Sequence, residues 1–187
     1  MISKLQLLED SIRNTLGSVV WSHKIHEKEA DIILKKYRRL EIVKIVSTSL
    51  TSVGIVSLIF SNMFWVKLVT SFISLVSIFI SAFFKSFPLQ DMVNIHSLTA
   101  KKLIEIREEL KLILLKIHAE NIDFESGAEK YKQTIIKLND IYKESPRTSD
   151  KAVKQAKKAL NISKDNEFND KEIDLSLPKL LRKEKIR

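Results

Sequence analysis

The side chains best suited to metal or proton chemistry are histidines, and two of them, His23 and His26, share one helical turn with Glu27. Three such groups could begin a metal site, but the zinc-protease pattern needs two histidines four apart with a glutamate between them. No His-Glu-x-x-His occurs, and His96 and His118 fall far along the chain on another helix. The chain has no cysteine, which excludes disulfides, thiolate-bound zinc, iron–sulfur clusters and a thiol nucleophile. Neither a carboxylate pair nor a Ser/His/Asp set stands apart from ordinary salt-bridged helix faces. The expectation is therefore a protein that is not an enzyme, with no catalytic residue, metal or cofactor.

A different chemistry is offered by hydroxyls set among apolar residues. At about 100° per residue, Thr70, Ser74, Ser77 and Ser81 fall in one narrow arc, and Phe72, Phe79 and Phe83 lie opposite. Upstream, Ser47, Thr51, Gly54 and Ser61 form a similar but weaker stripe, since Thr48, Ser49 and Ser52 lie off it. Small hydroxyl residues let helices approach closely and share hydrogen bonds. The same stripe could line a water-filled path once several copies assemble with phenylalanines towards lipid. Both readings stay open at this level.

The elements that carry these residues are two uncharged runs, Ile45–Val66 and Leu68–Phe84, separated by Lys67. As helices they would span roughly 33 and 25 Å against a hydrocarbon layer about 30 Å thick. The second reaches that thickness if Lys67 and Lys85 extend their ammonium groups to the headgroups. Their Leu, Ile, Val and Phe residues contribute on the order of −5 kcal/mol per helix towards insertion. A soluble hairpin buried in a larger bundle is the alternative, but little else in the chain could cover two wholly apolar helices. No ionisable residue lies inside either run, so a proton relay, voltage sensor or charged-substrate site has no candidate there. A cleaved signal peptide does not fit an apolar run that begins only after many charges of both signs.

Ser61-Asn62-Met63-Phe64-Trp65-Val66-Lys67 reads as a tight turn at the membrane surface, with Trp65 and Lys67 as interfacial anchors. Lys35, Lys36, Arg38, Arg39 and Lys44 precede the first span and Lys85 follows the second, so the positive-inside rule places both termini in the cytoplasm. Lys44 and Lys85 are the anchors on that side.

Outside the hairpin the chain reads as helices, in keeping with three glycines and three prolines among 187 residues. Leu5, Leu8, Ile12, Leu16 and Val19 mark a short amphipathic helix with Gly17 near its end, and Ser22 reads as the N-cap of a second helix running into the first span. After Pro88, Met92, Ile95, Thr99, Leu103, Ile106, Leu110, Ile113 and Ile117 form a coiled-coil-like stripe. Asn121–Phe124 breaks it. Tyr131, Ile135, Leu138 and Tyr142 then mark a partner helix ending before Pro146, and a last helix is expected from Ser149 to Leu160. The fold class is all-α: a transmembrane hairpin with a cytoplasmic helical region. Its parts are cytoplasmic helices over residues 1–42, the hairpin over 43–87 with spans of about 43–62 and 66–86, a helical hairpin over 88–145, and a basic, partly flexible tail over 146–187.

The net charge of +9 arises from 32 Lys and Arg against 23 Asp and Glu. The clusters at 151–158 and 180–187 read as solvated faces, and direct nucleic-acid binding is not expected. Leu177 to Arg187 mixes leucines with basic residues, as a segment docking on a membrane surface or a partner would.

The run Trp21-Ser-His-Lys-Ile-His-Glu-Lys-Glu-Ala-Asp31 ahead of a hydroxyl-rich two-span hairpin, followed by Ala100-Lys-Lys-Leu-Ile-Glu-Ile-Arg-Glu-Glu109, resembles the SLATT domain. SLATT domains are two-transmembrane effectors of bacterial conflict systems, and the resemblance covers roughly residues 10–145. It implies an inner-membrane protein encoded beside a sensor, either a nucleotide-second-messenger synthetase (a nucleotidyltransferase) or a reverse transcriptase. On activation it would form homo-oligomers and perturb or perforate the bilayer as an antiviral defence. The resemblance supplies no catalytic residue. A non-perforating anchor for a soluble complex is the alternative, followed by a holin-like lysis protein, for which the cytoplasmic part is large, and a soluble nucleic-acid-binding helical protein.

Overall fold

In the computed structural model, residues 3–60, 63–165 and 170–178 are described, and they form six helices. The first, α1, runs from Lys4 to Phe60 without interruption, about 85 Å at 1.5 Å per residue. It passes straight through the two places that read as a boundary. Gly17 costs about 1 kcal/mol in a helix interior, but Ile12 and Val19 on either side are fully buried and hold the turn. Ser22 does not cap a helix; its hydroxyl bonds the Tyr142 hydroxyl at 3.1 Å.

The second span is α2, Phe64–Ser86, and α3 follows at Leu89–His118. Pro88 separates them because it has no N–H to donate and because it holds Phe87 in extended backbone. Together they return antiparallel along α1. Gly54 lies against Thr70, the Tyr37 and Phe84 rings are 5.4 Å apart, His26 meets His96, and Glu9 meets His118.

Then α4, Phe124–Glu144, turns back parallel to α1, joined through Thr15–Tyr131 and Ser22–Tyr142 hydroxyl pairs. Asp123 caps it by accepting from the Ser126 N–H at 2.8 Å. Next, α5 spans Asp150–Asn161 and buries Ala152, Ala156 and Ala159, three small residues on one face that let it lie close to α1. A short α6 covers Asp170–Ser176.

The core sits among α1, α3 and α4: Leu8, Ile12, Val19, Leu103, Ile106, Leu110, Ile113, Ile117 and Leu138. The α3 stripe is buried from Thr99 onward, whereas Met92 and Ile95 are exposed and His96 takes the inward position at that level. The buried sector drifts round α3 because a strict 3–4 spacing does not match 3.6 residues per turn. The Ser61–Asn62 part of the turn and the Leu180–Arg187 cluster lie outside the described residues.

Candidate functional site: the two-helix hairpin and the polar layer beneath it

In α1 and α2 the usual inside-out logic of a globular protein is reversed. Ile42, Ile45, Val53, Leu68, Phe72 and Phe79 are all about half exposed or more, and only 6% of the most apolar window in each of the two candidate spans is buried. A soluble monomer rarely leaves more than a few hundred Å² of contiguous apolar surface in water. Helices that cross a bilayer do so by design, because a helix satisfies every backbone group internally where no water can.

The hydroxyl stripes face each other across the α1–α2 seam. Towards the turn they touch: a Cβ at Gly54 would collide with the Thr70 side chain, so only glycine allows this approach. Towards the other end the helices part around a groove of about 450 Å³, lined by Thr48, Thr51, Ser74, Ser77 and Ser81, with Lys85 also on its wall. Ser47 is buried. Several hydroxyl protons are already used within their own helix: Thr48 donates to the Lys44 carbonyl at 2.8 Å, Thr51 to Ser47 at 2.9 Å and Ser81 to Ser77 at 2.9 Å. Such back-bonds leave the oxygen lone pairs facing the groove as acceptors. The Ser77 hydroxyl is buried and has no hydrogen-bond partner among the described residues.

Phe72 and Phe79 project outward from α2. Phe83 is half-buried, its ring 4.9 Å from Phe87 and beneath the Lys36 ammonium at 5.3 Å. Lys44 stands over Phe84 at 5.8 Å. These cation–π contacts set basic groups at the end of the apolar surface, where charged heads reach water. Trp65 is 71% exposed near the turn, close to Lys67.

Below the hairpin lies a polar layer that sequence spacing had not joined. His96, remote from His26 in the chain, meets it Nδ1 to Nδ1 at 2.9 Å, with both rings buried. Burial holds His26 down to about 4, helped by the neighbouring His96 and opposed by Glu29. Burial likewise lowers His96 and His23. At neutral pH the two rings are therefore uncharged, one donating to the other. His118 is also drawn back to α1, with its Nε2 2.9 Å from Glu9. Buried Glu29 accepts from the backbone N–H and the hydroxyl of Ser149 at 2.8 and 2.6 Å, which ties the start of α5 to α1. Buried Lys24 pairs with Glu27 at 3.0 Å and Asp165 at 3.4 Å. His23 and Glu27 approach only to 3.9 Å, and among the described residues no group of three or more His, Asp or Glu is placed to hold a metal ion.

The antiparallel register was the missing signal. Each meeting pair lies at a similar distance either side of the segment joining α1 to α2, so the antiparallel return of the chain places His26 beside His96.

Against known families, residues 8–172 match the SMODS and SLOG-associating 2TM effector domain family 4. No curated protein and no solved structure matches the chain.

Proposed function

Since the chain belongs to the SMODS and SLOG-associating 2TM effector domains, and is thus a membrane effector of conflict systems, we propose how it acts: copies associate through the hairpin and permeabilise the bacterial inner membrane when a co-encoded sensor activates them. The single observation that carries this reading is the hairpin's inversion, with apolar residues outward and hydroxyl oxygens turned into the α1–α2 groove. One hairpin cannot enclose a pore. Several, arranged with Phe72 and Phe79 towards lipid, would bring the acceptor oxygens of Thr51, Ser74, Ser77 and Ser81 together around water. Both termini lie in the cytoplasm on this reading, where the basic residues before α1 enters the apolar layer follow the positive-inside rule. The partner is a nucleotidyltransferase or reverse transcriptase encoded nearby, acting on the cytoplasmic helices.

Dye release from liposomes containing the protein, with and without that partner, tests the claim. Leakage on activation is expected, and none under any activating condition removes it. A second reading is favoured by the back-bonded hydroxyls and the Gly54–Thr70 contact, which are what close packing alone would require. In that case the hairpin is an anchor that holds a soluble complex at the bilayer. The anchor reading expects no leakage from the wild type. Where leakage occurs, Ser74→Leu with Ser77→Leu separates lining from packing, since leakage lost with oligomers intact supports a lined path and leakage unchanged means these serines only pack.

A further inference from the structure

The end of the cytoplasmic bundle farthest from the hairpin carries an unbalanced set of positive charges. Lys116 in the last turn of α3 and Lys130 in α4 border a groove of about 240 Å³ between the two helices, with Lys137, Gln133, Thr134 and Leu112 on its walls. On the same helices Lys102, Lys111, Lys132, Lys137 and Lys143 each have a carboxylate within 4 Å. Among the described residues, Lys116 and Lys130 have none, and both line this one groove. The Lys130 ammonium beside it holds Lys116 below the ordinary lysine range. Glu109, the acid of this groove, is already engaged by Lys137 at 2.6 Å and by the Thr134 hydroxyl at 3.2 Å. Three ammonium groups against one occupied carboxylate leave the groove with two uncompensated positive charges.

Two like charges on the walls of one groove repel, and an anion bound between them offsets that repulsion. We propose that the α3–α4 groove is a binding site for a small phosphate-bearing anion, with Lys116 and Lys130 clasping the phosphate. The volume equals about eight waters at ~30 Å³ each, so a phosphate with a further group attached fits. Gln133 uses one amide N–H on Glu129 at 3.2 Å and keeps a second to donate. Leu112, about half exposed beside the ammonium groups, offers an apolar surface to whatever the phosphate carries. Bridging both helices, such an anion would draw α4 onto α3. The site stands on its own observations and can fail while the membrane reading holds.

The full-length protein in nanodiscs of zwitterionic lipid, titrated calorimetrically in 150 mM salt with inorganic pyrophosphate, with ATP and with adenosine, tests it. Saturable binding of pyrophosphate or ATP but not adenosine is expected, reduced at least tenfold by Lys116→Met with Lys130→Met and unchanged by Lys132→Met, whose ammonium pairs with Glu129 outside the groove. Equal affinity for pyrophosphate and ATP would identify phosphate alone as the ligand. ATP tighter by tenfold or more would identify a phosphate borne on a nucleotide. Folding of the double variant is checked by its melting temperature, which should match or exceed the wild type without ligand, because repulsion is removed. The proposal is overturned if neither phosphate compound binds saturably, or if binding survives the double substitution in a folded protein.

Discussion

The helical bundle and the hairpin are built from the same helix α1, and they solve opposite problems. Below Tyr37, α1 buries Ile12 and Val19 completely against α3, and its buried charges find partners, Glu29 on Ser149 and Lys24 on Glu27 and Asp165. Beyond Lys44 it meets one neighbour along one seam and leaves its isoleucines and valines outside. A bundle closed on three sides is held by exclusion of water. The hairpin has no such driving force in lipid, so close approach and hydrogen bonding must hold it. The bundle buries its core within the chain, and the hairpin leaves its apolar residues outside.

The largest difference should appear in paired truncations. Leu110→Ala, at a fully buried site facing α1, should cost about 3–5 kcal/mol through lost transfer energy and the cavity left behind. Phe79→Ala, at a ring 75% exposed on α2, should change stability by less than about 0.5 kcal/mol, because lipid replaces what the ring displaced. Denaturant unfolding in detergent micelles measures both. Equal losses would mean that the phenylalanine face is covered within the folded chain.

This contrast also explains what the sequence made legible. Two uncharged runs, Pro88, the break at Asn121–Phe124 and Ser149 marked the helices and their ends, because each acts locally through hydropathy, a missing N–H or a cap. That Asp123 supplies the cap within the break needed coordinates. The continuity of α1 through Gly17 was not legible, since it depends on packing by Leu103 and Leu110 from a distant part of the chain. The same holds for the histidines. Spacing along one helix put His23, His26 and Glu27 together, whereas antiparallel docking chose His26 with His96 and left His23 apart. The inward hydroxyl arc of α2 was visible as periodicity. Its back-bonds and the collision at Gly54 require coordinates.

Acid should weaken the bundle in a way the hairpin cannot share, as the hairpin has no titrating group within its uncharged runs. His26 in the fold is held to about 4 from an ordinary 6.5. Between those values the unfolded chain takes up a proton that the native one refuses, so stability is full above about pH 6.5 and is lost as pH falls towards 4. At 1.36 kcal/mol per pH unit the loss is on the order of 3 kcal/mol. Urea midpoints at pH 7.5 and 4.5, compared between the wild type and His26→Leu with His96→Leu, isolate this contribution from the carboxylates. The double variant should show the smaller acid loss, and identical acid profiles would mean that the paired rings are not kept neutral by the fold.

The smallest effects come from two glycines on the same helix, which should respond with opposite sign. At Gly17 an added Cβ meets nothing within 4 Å, and the residue lies mid-helix, so Gly17→Ala should stabilise the bundle by about 0.5–1 kcal/mol through lower unfolded-chain entropy and better helix propensity. At Gly54 the same added carbon collides with Thr70, and Gly54→Ala should cost about 1–3 kcal/mol, as overpacking usually does. Thr70→Ala in the Gly54→Ala background removes both the hydroxyl and the methyl that the added carbon meets and should recover part of that loss. Crosslinking between cysteines introduced at Leu50 and Ile73, which border the same apolar groove between α1 and α2, reports whether the seam has opened. If Gly54→Ala leaves both stability and crosslinking untouched, α1 and α2 do not meet at this point in the bilayer, and the hairpin is held at its ends alone.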